Sequence, residues 1–155
     1  MQKLLIAVEG VSNSGKTTTL KEILSLLKKE PKTTSVQLQN ETNKKQPNEL
    51  NISTNSDITC IFEVMLVNNK LLKIGIATGG DTLDIVSSNL IYFDNNNCDV
   101  IICATKSRGQ TVDYIHNYID NKELIFLPFY KAYDTNRHDV KLAQDIINTM
   151  WKWLL

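Results

Sequence analysis

Two glycines, a lysine and a threonine stand at fixed spacing in GVSNSGKT, Gly10 to Thr17, between the apolar run LLIAVE and the amphipathic run TTLKEILSLLKK. Glycines let a backbone curl so that successive N–H groups point inward, and a helix that starts at once afterwards adds the positive end of its dipole. A phosphate chain suits both features. The stretch matches GxxxxGK[ST] at every defined position, with a strand pattern before it and a helix pattern after it. On this reading Gly10, Ser12, Asn13, Ser14, Gly15, Lys16, Thr17 and Thr18 hold the phosphates of a nucleotide. Lys16 reaches the β- and γ-phosphates, and the Thr17 hydroxyl binds Mg²⁺. The plainer alternative is a glycine-rich turn with an incidental lysine.

A second stretch, IGIATGGDT, carries a strand pattern into Thr78, Gly79, Gly80 and Asp81. Open α/β sheets bind ligands at the carboxyl ends of their strands, so Asp81 would reach the same ligand if its strand neighbours the first. There it would hold the Mg²⁺ shell or position an attacking water. The alternative is that Asp81 caps the helix that follows. A third stretch, CATKSRGQT, places Lys106 and Arg108 just past another apolar strand. A cation there would neutralise charge on a transferred phosphoryl group, and the planar fork of Arg108 suits phosphate better than Lys106 does. A solvated loop with Thr111 capping the next helix is the competing reading. Glu9, at the tip of the first strand, either orients an attacking water or only ends the strand. His116 and His138 read as structural or exposed side chains.

These groups need elements to carry them. Leu4 to Val8 reads as a buried strand, and Thr17 to Lys29 as a helix with Leu20, Ile23, Leu24 and Leu27 on one face, ending before Pro31. Val36 to Gln39 is a weaker strand. Residues 40–57 hold five asparagines and almost nothing apolar, which predicts a mobile loop. Ile58 to Val67 and Leu71 to Ala77 form an antiparallel hairpin about Asn68 and Asn69, which tolerate the positive φ of a tight turn. A helix over Thr82 to Phe93 buries Leu83, Val86, Leu90 and Phe93. DVIICA is a strand, Thr111 to Ile119 a helix, LIFLPF a last strand, and Asp139 to Leu154 a helix with Val140, Ala143, Ile147, Met150 and Leu154 as its stripe. Strands alternating with helices predict an α/β fold of three layers: a mostly parallel sheet with one antiparallel hairpin, and helices on both faces.

Composition narrows the classes. The 155 residues are about one domain, 1–155, and seventeen basic residues balance seventeen acidic ones. Zero net charge offers no general attraction to nucleic acid or an anionic membrane, so an anionic ligand needs a local feature. The apolar runs are too short to span a bilayer, and the first leads into glycines and a helix, so no cleavable leader is expected. Cys60, Cys98 and Cys103 lack CxxC spacing and a nearby histidine. They read as reduced thiols in strands of a cytoplasmic protein. Trp151 and Trp153 cannot both face the core from one helix, which leaves one either simply exposed or marking a contact surface for a protein partner.

In IAVEGVSNSGKTTTL the chain resembles the P-loop NTPase superfamily, and over its first thirty residues the thymidylate-kinase-like, ATP-using branch. The resemblance implies a three-layer P-loop sheet that binds Mg-ATP and acts at the γ-phosphate, with Lys16 catalytic and Thr17 at the metal. Asp81, as a further catalytic and metal residue, and Arg108, as a catalytic one, are added from their places past strand ends. Asp81 departs from the family pattern, in which the Asp directly ends an apolar strand. The order of strand, loop, helix, polar segment, hairpin and Gly-rich turn ending in Asp also resembles small GTPases. Their guanine-reading NKxD box is missing, however, because Asn121-Lys122-Glu123-Leu124 precedes a strand where the box should follow one. Three classes stay open: slow NTP hydrolysis, a small-molecule or nucleotide kinase, and a module that holds nucleotide without turning it over. Kinases of this kind usually close an arginine-bearing lid, and the only arginines here are Arg108 and Arg137.

Overall fold

LLIAVE is apolar at five consecutive positions and buried at all six, as expected for a parallel strand covered on both faces. It forms β1 (Leu4–Glu9) in a computed structural model that describes residues 3–11, 15–130 and 139–154. The other elements are α1 (Lys16–Lys29), β2 (Thr33–Leu38), β3 (Thr59–Met65), β4 (Leu71–Ala77), α2 (Leu83–Asn95), β5 (Val100–Thr105), α3 (Gln110–Lys122), β6 (Ile125–Tyr130) and α4 (Asp139–Leu154). One sheet has the order β2-β3-β4-β5-β1-β6. β1 pairs in parallel with β5 and β6, β4 pairs in parallel with β5, and β3 is antiparallel to both β2 and β4. Only β3 therefore runs against the other strands.

Side chains alternate across β1 and so divide between two cores. Leu4, Ile6 and Val8 join Leu20, Ile23, Leu24 and Leu27 of α1 and Ala143, Ile146, Ile147 and Met150 of α4. Leu5 and Ala7 join Val86, Leu90 and Phe93 of α2 and Ile115 and Ile119 of α3. This is the predicted three-layer α/β arrangement. Gly75 of β4 lets α2 lie close to the sheet, since a Cβ there would stand 2.4 Å from the Phe93 ring. In the turn between β3 and β4, Asn69 takes φ 61, and Leu66 and Lys70 close the hairpin through a 2.9 Å bond from Leu66 N to Lys70 O. No helix among the described residues is long and apolar enough to cross a membrane.

Several local expectations shift. On α4, Val140 is 66 % exposed and Ile146 takes its place inside, because the buried face is set by the approach of α1. Leu83 likewise lies outside the buried face of α2. Trp151 packs against the core and Trp153 is exposed. Cys60 and Cys103 lie in strands as expected, but Cys98 sits in the turn before β5. All three thiols are buried. Desolvation pushes those of Cys98 and Cys103 up to about 12, so they pack as small apolar groups.

The segment expected as a mobile loop, residues 40–57, is tied down along its length. Lys45 pairs with Val36 on the outer edge of β2, through bonds of 3.0 and 2.7 Å. Pro47–Glu49 forms a 3₁₀ turn. Leu50, 2 % exposed, enters the core shared with α1. Lys28 and Lys21, two helical turns apart on α1, donate to the carbonyls of Leu50 and Thr54 at 2.8 and 2.6 Å. The segment is a strap over α1. Leu50→Ala should therefore lower unfolding stability by about 2–5 kcal/mol, while exposed Asn48→Ala should stay within about 0.5 kcal/mol. Urea unfolding of the two variants separates an anchored strap from a linker, for which both changes would be small.

Candidate functional site

The carboxyl ends of β4 and β5 and the start of α1 surround a cleft of about 460 Å³. Its lining comes from Gly15 to Thr18, Thr78 to Asp81, Asp57, Ile85 and Ala104. Gly15 has φ 96, a left-handed conformation that glycine adopts without strain and that turns the chain into α1. Lys16 follows directly, and its side chain is only 5 % exposed. A buried ammonium must be fully paired. Its Nζ donates to Gly10 O at 3.0 Å, to Thr105 O at 3.2 Å and to Asp81 Oδ1 at 3.0 Å, which occupies all three N–H groups. Gly10 N also donates to Thr105 O at 3.2 Å, so the two carbonyls belong to strand ends that are already joined.

Asp81 reaches Lys16 by a route the sequence did not reveal. Its strand is not the neighbour of β1, because β5 lies between them. The turn after β4 instead crosses the end of β5. Gly80 permits the crossing, since a Cβ there would lie 2.0 Å from Ala104 O. The turn is pinned on its other side as well. Thr78 N donates to Ile58 O at 2.9 Å, Thr78 Oγ1 accepts from Ile58 N at 2.8 Å, and Asn89 Nδ2 donates to Gly79 O at 3.2 Å. Asp81 does not cap α2: the cap is Thr82, whose hydroxyl accepts from Ile85 N at 3.3 Å. The carboxylate is thereby left to the cleft.

Thr17 and Thr18 are exposed on the cleft side of α1, and Thr17 Oγ1 donates to Thr78 O at 3.3 Å. Asp57, at the end of the strap, also lines the cleft beside Gly79. The sequence reading placed Thr78 in the turn beside the site without giving it a role, and it missed Asp57, which no motif marks. Thr17, Asp57 and Asp81 offer hard oxygen donors. Among the described residues no three His, Cys, Asp or Glu side chains gather to hold a metal alone. A donor set of one hydroxyl and one or two carboxylates suits Mg²⁺, which keeps waters and shares its coordination with ligand phosphates.

Other expected residues fall elsewhere. Ser12, Asn13, Ser14, Arg137 and His138 lie outside the described residues. Arg108 is exposed on the loop after β5 and does not line the cleft, and Lys106 is half-buried on the same loop. Thr111 is not the cap of α3, a position taken by Gly109. Its buried hydroxyl accepts from Thr105 Oγ1 at 2.9 Å and from Lys106 N at 3.3 Å, tying the loop to β5. His116 is exposed and packs edge-on against Phe126 at 5.3 Å. Asn121 and Lys122 finish α3, and Glu123 and Leu124 lead into β6. No protein-family model matches the chain, and no curated protein sequence matches it.

Glu9 closes β1 and is only 4 % exposed as a residue. Desolvation raises its pKa, against the opposing effects of the His116 charge and a hydrogen bond from Tyr130. Above the ordinary carboxylate range the folded state binds this proton more tightly than the unfolded chain, so ionising Glu9 costs stability as pH rises from about 4.5 through the folded pKa. Glu9→Gln keeps an acceptor for Tyr130 and removes that cost. Urea midpoints should show the variant more stable than the parent at about pH 7, with the difference vanishing below about pH 4.

Proposed function

We propose that the cleft binds a nucleoside triphosphate, Mg-ATP in the first instance, and acts at its γ-phosphate by slow hydrolysis. The observation that carries this reading is Lys16: a buried ammonium at the start of a helix, at the carboxyl ends of parallel strands, beside a hydroxyl and two carboxylates. An anion entering there meets the lysine and the N-terminal end of α1 together. The placement agrees with the GVSNSGKT motif and with the P-loop NTPase resemblance that it carries.

In this reading the backbone from Gly10 to Gly15 and the side chains of Lys16, Thr17 and Thr18 take the phosphate chain. Thr17 and Asp81 hold Mg²⁺, which when bound draws charge from the β- and γ-phosphate oxygens. Water attacks the γ-phosphorus and the bond to the β–γ bridging oxygen breaks, giving the nucleoside diphosphate and orthophosphate, with the water's protons passing to the new phosphate and to solvent. Lys16 neutralises the charge that builds on the departing oxygen. Arg108 contributes only if its exposed loop folds toward the cleft. ATP is favoured over GTP because Asn121 to Leu124 stand before β6 and not after it.

A ligand that binds only the native state stabilises it by RT ln(1 + [L]/Kd), about 2.7 kcal/mol at a hundredfold excess over Kd. Saturating Mg-ATP should then raise the melting temperature by about 5–10 °C. Lys16→Ala should lose most of that shift and abolish turnover. Thr17→Ala should need more Mg²⁺ for the same shift, and GTP should do no better than ATP. Flat melting curves with every nucleotide, in folded and nucleotide-free protein, would sink the proposal, and a larger shift with GTP would sink the base assignment alone.

A further inference from the structure

The three partners of Lys16 are unequal. Gly10 O and Thr105 O belong to strand ends joined by their own hydrogen bond, so neither can withdraw without opening the sheet. Asp81 is different: its side chain is 56 % exposed, it carries a charge, and Thr82 relieves it of capping α2. A carboxylate oxygen 3.0 Å from Nζ takes the place and the charge that an incoming phosphate oxygen would need. Two anions cannot share that one remaining N–H. The main chain of the turn is held by Ile58, Asn89 and the contact of Gly80 with Ala104. Any release of Asp81 is therefore a rotation of its side chain, with no rearrangement of the turn.

We propose that Asp81 is a displaceable counter-ion of Lys16, a positioning residue that holds the ammonium at the cleft and competes with the terminal phosphate of the ligand. The proposal rests on the phosphate-binding reading above and adds to it a sign. A residue that served the ligand only through Mg²⁺ would leave metal-free binding untouched when neutralised. A counter-ion restrains that binding, so its neutralisation strengthens it. The same arrangement makes the effect conditional on Lys16, since without the ammonium there is nothing to compete for.

The experiment is calorimetric titration of the full chain with ATP in EDTA, using the parent, Asp81→Asn, Lys16→Ala and the double variant, each checked for folding by circular dichroism. Asp81→Asn should bind metal-free ATP about threefold to fivefold more tightly than the parent, the range expected for a half-exposed ion pair. In the Lys16→Ala background the same change should have no such effect. Asp81→Ala should repeat the direction if the asparagine forms a new bond of its own. Unchanged or weaker binding by both folded Asp81 variants, with the parent binding normally, would overturn the counter-ion role and leave the phosphate site standing. Equal tightening without Lys16 would assign the effect to net charge and overturn it too. Failure of the parent to bind ATP with or without Mg²⁺ would overturn the phosphate site itself, and the inference with it.

Discussion

A buried ammonium is the constraint around which this end of the molecule is organised. Lys16 lies within the first turn of α1, where its side chain is almost out of water, and a charge in that position is tolerable only if every N–H is answered. Two answers come from main-chain carbonyls, which ties the lysine to the carboxyl ends of the neighbouring strands β1 and β5. The third comes from a turn that must cross a neighbouring strand to arrive. The positive φ of Gly15, the lack of a side chain at Gly80 and the transfer of capping to Thr82 all serve this arrangement.

The cleft is thus a joint between parts that are distant in sequence. α1 contributes the cation, β1 and β5 its fixed acceptors, and the turn after β4 its mobile one. The strap contributes Asp57, and the lysines of α1 hold the strap over the same helix. Ile58, just after the strap, joins it to the turn after β4, since it exchanges hydrogen bonds with Thr78 on both its N–H and its carbonyl.

How much of this can be read from sequence depends on the range of the interaction. LLIAVE and DVIICA are unbroken apolar runs, and α4 follows its helical period from Asp139 to Leu154, so local pattern alone places them. The hairpin was legible in Asn68 and Asn69 because a tight turn demands a residue that accepts positive φ. Leu50 was not: a single leucine among polar residues carries no periodicity, and its burial depends on α1 lying beneath it. The position of β5 between β1 and β4 was equally hidden, because strand order is a property of the whole sheet. Asp81 was legible as a chemical group and illegible as a contact. Its spacing suggested either a cap or a metal ligand, whereas the group it meets is a lysine 65 positions away.

The hairpin turn has a practical consequence. β4 begins at Leu71 and delivers the chain to the cleft only after Ala77, so Asn68 and Asn69 project from the opposite end of the sheet. Both are exposed, and the main-chain bonds that shape the turn stay within residues 66–70. Exposed tips of this kind accept added residues with little penalty. A fluorophore or a surface tether grafted between Asn68 and Asn69 would hold the molecule by its far pole, with the cleft facing solution and the full sheet standing between the attachment and any ligand.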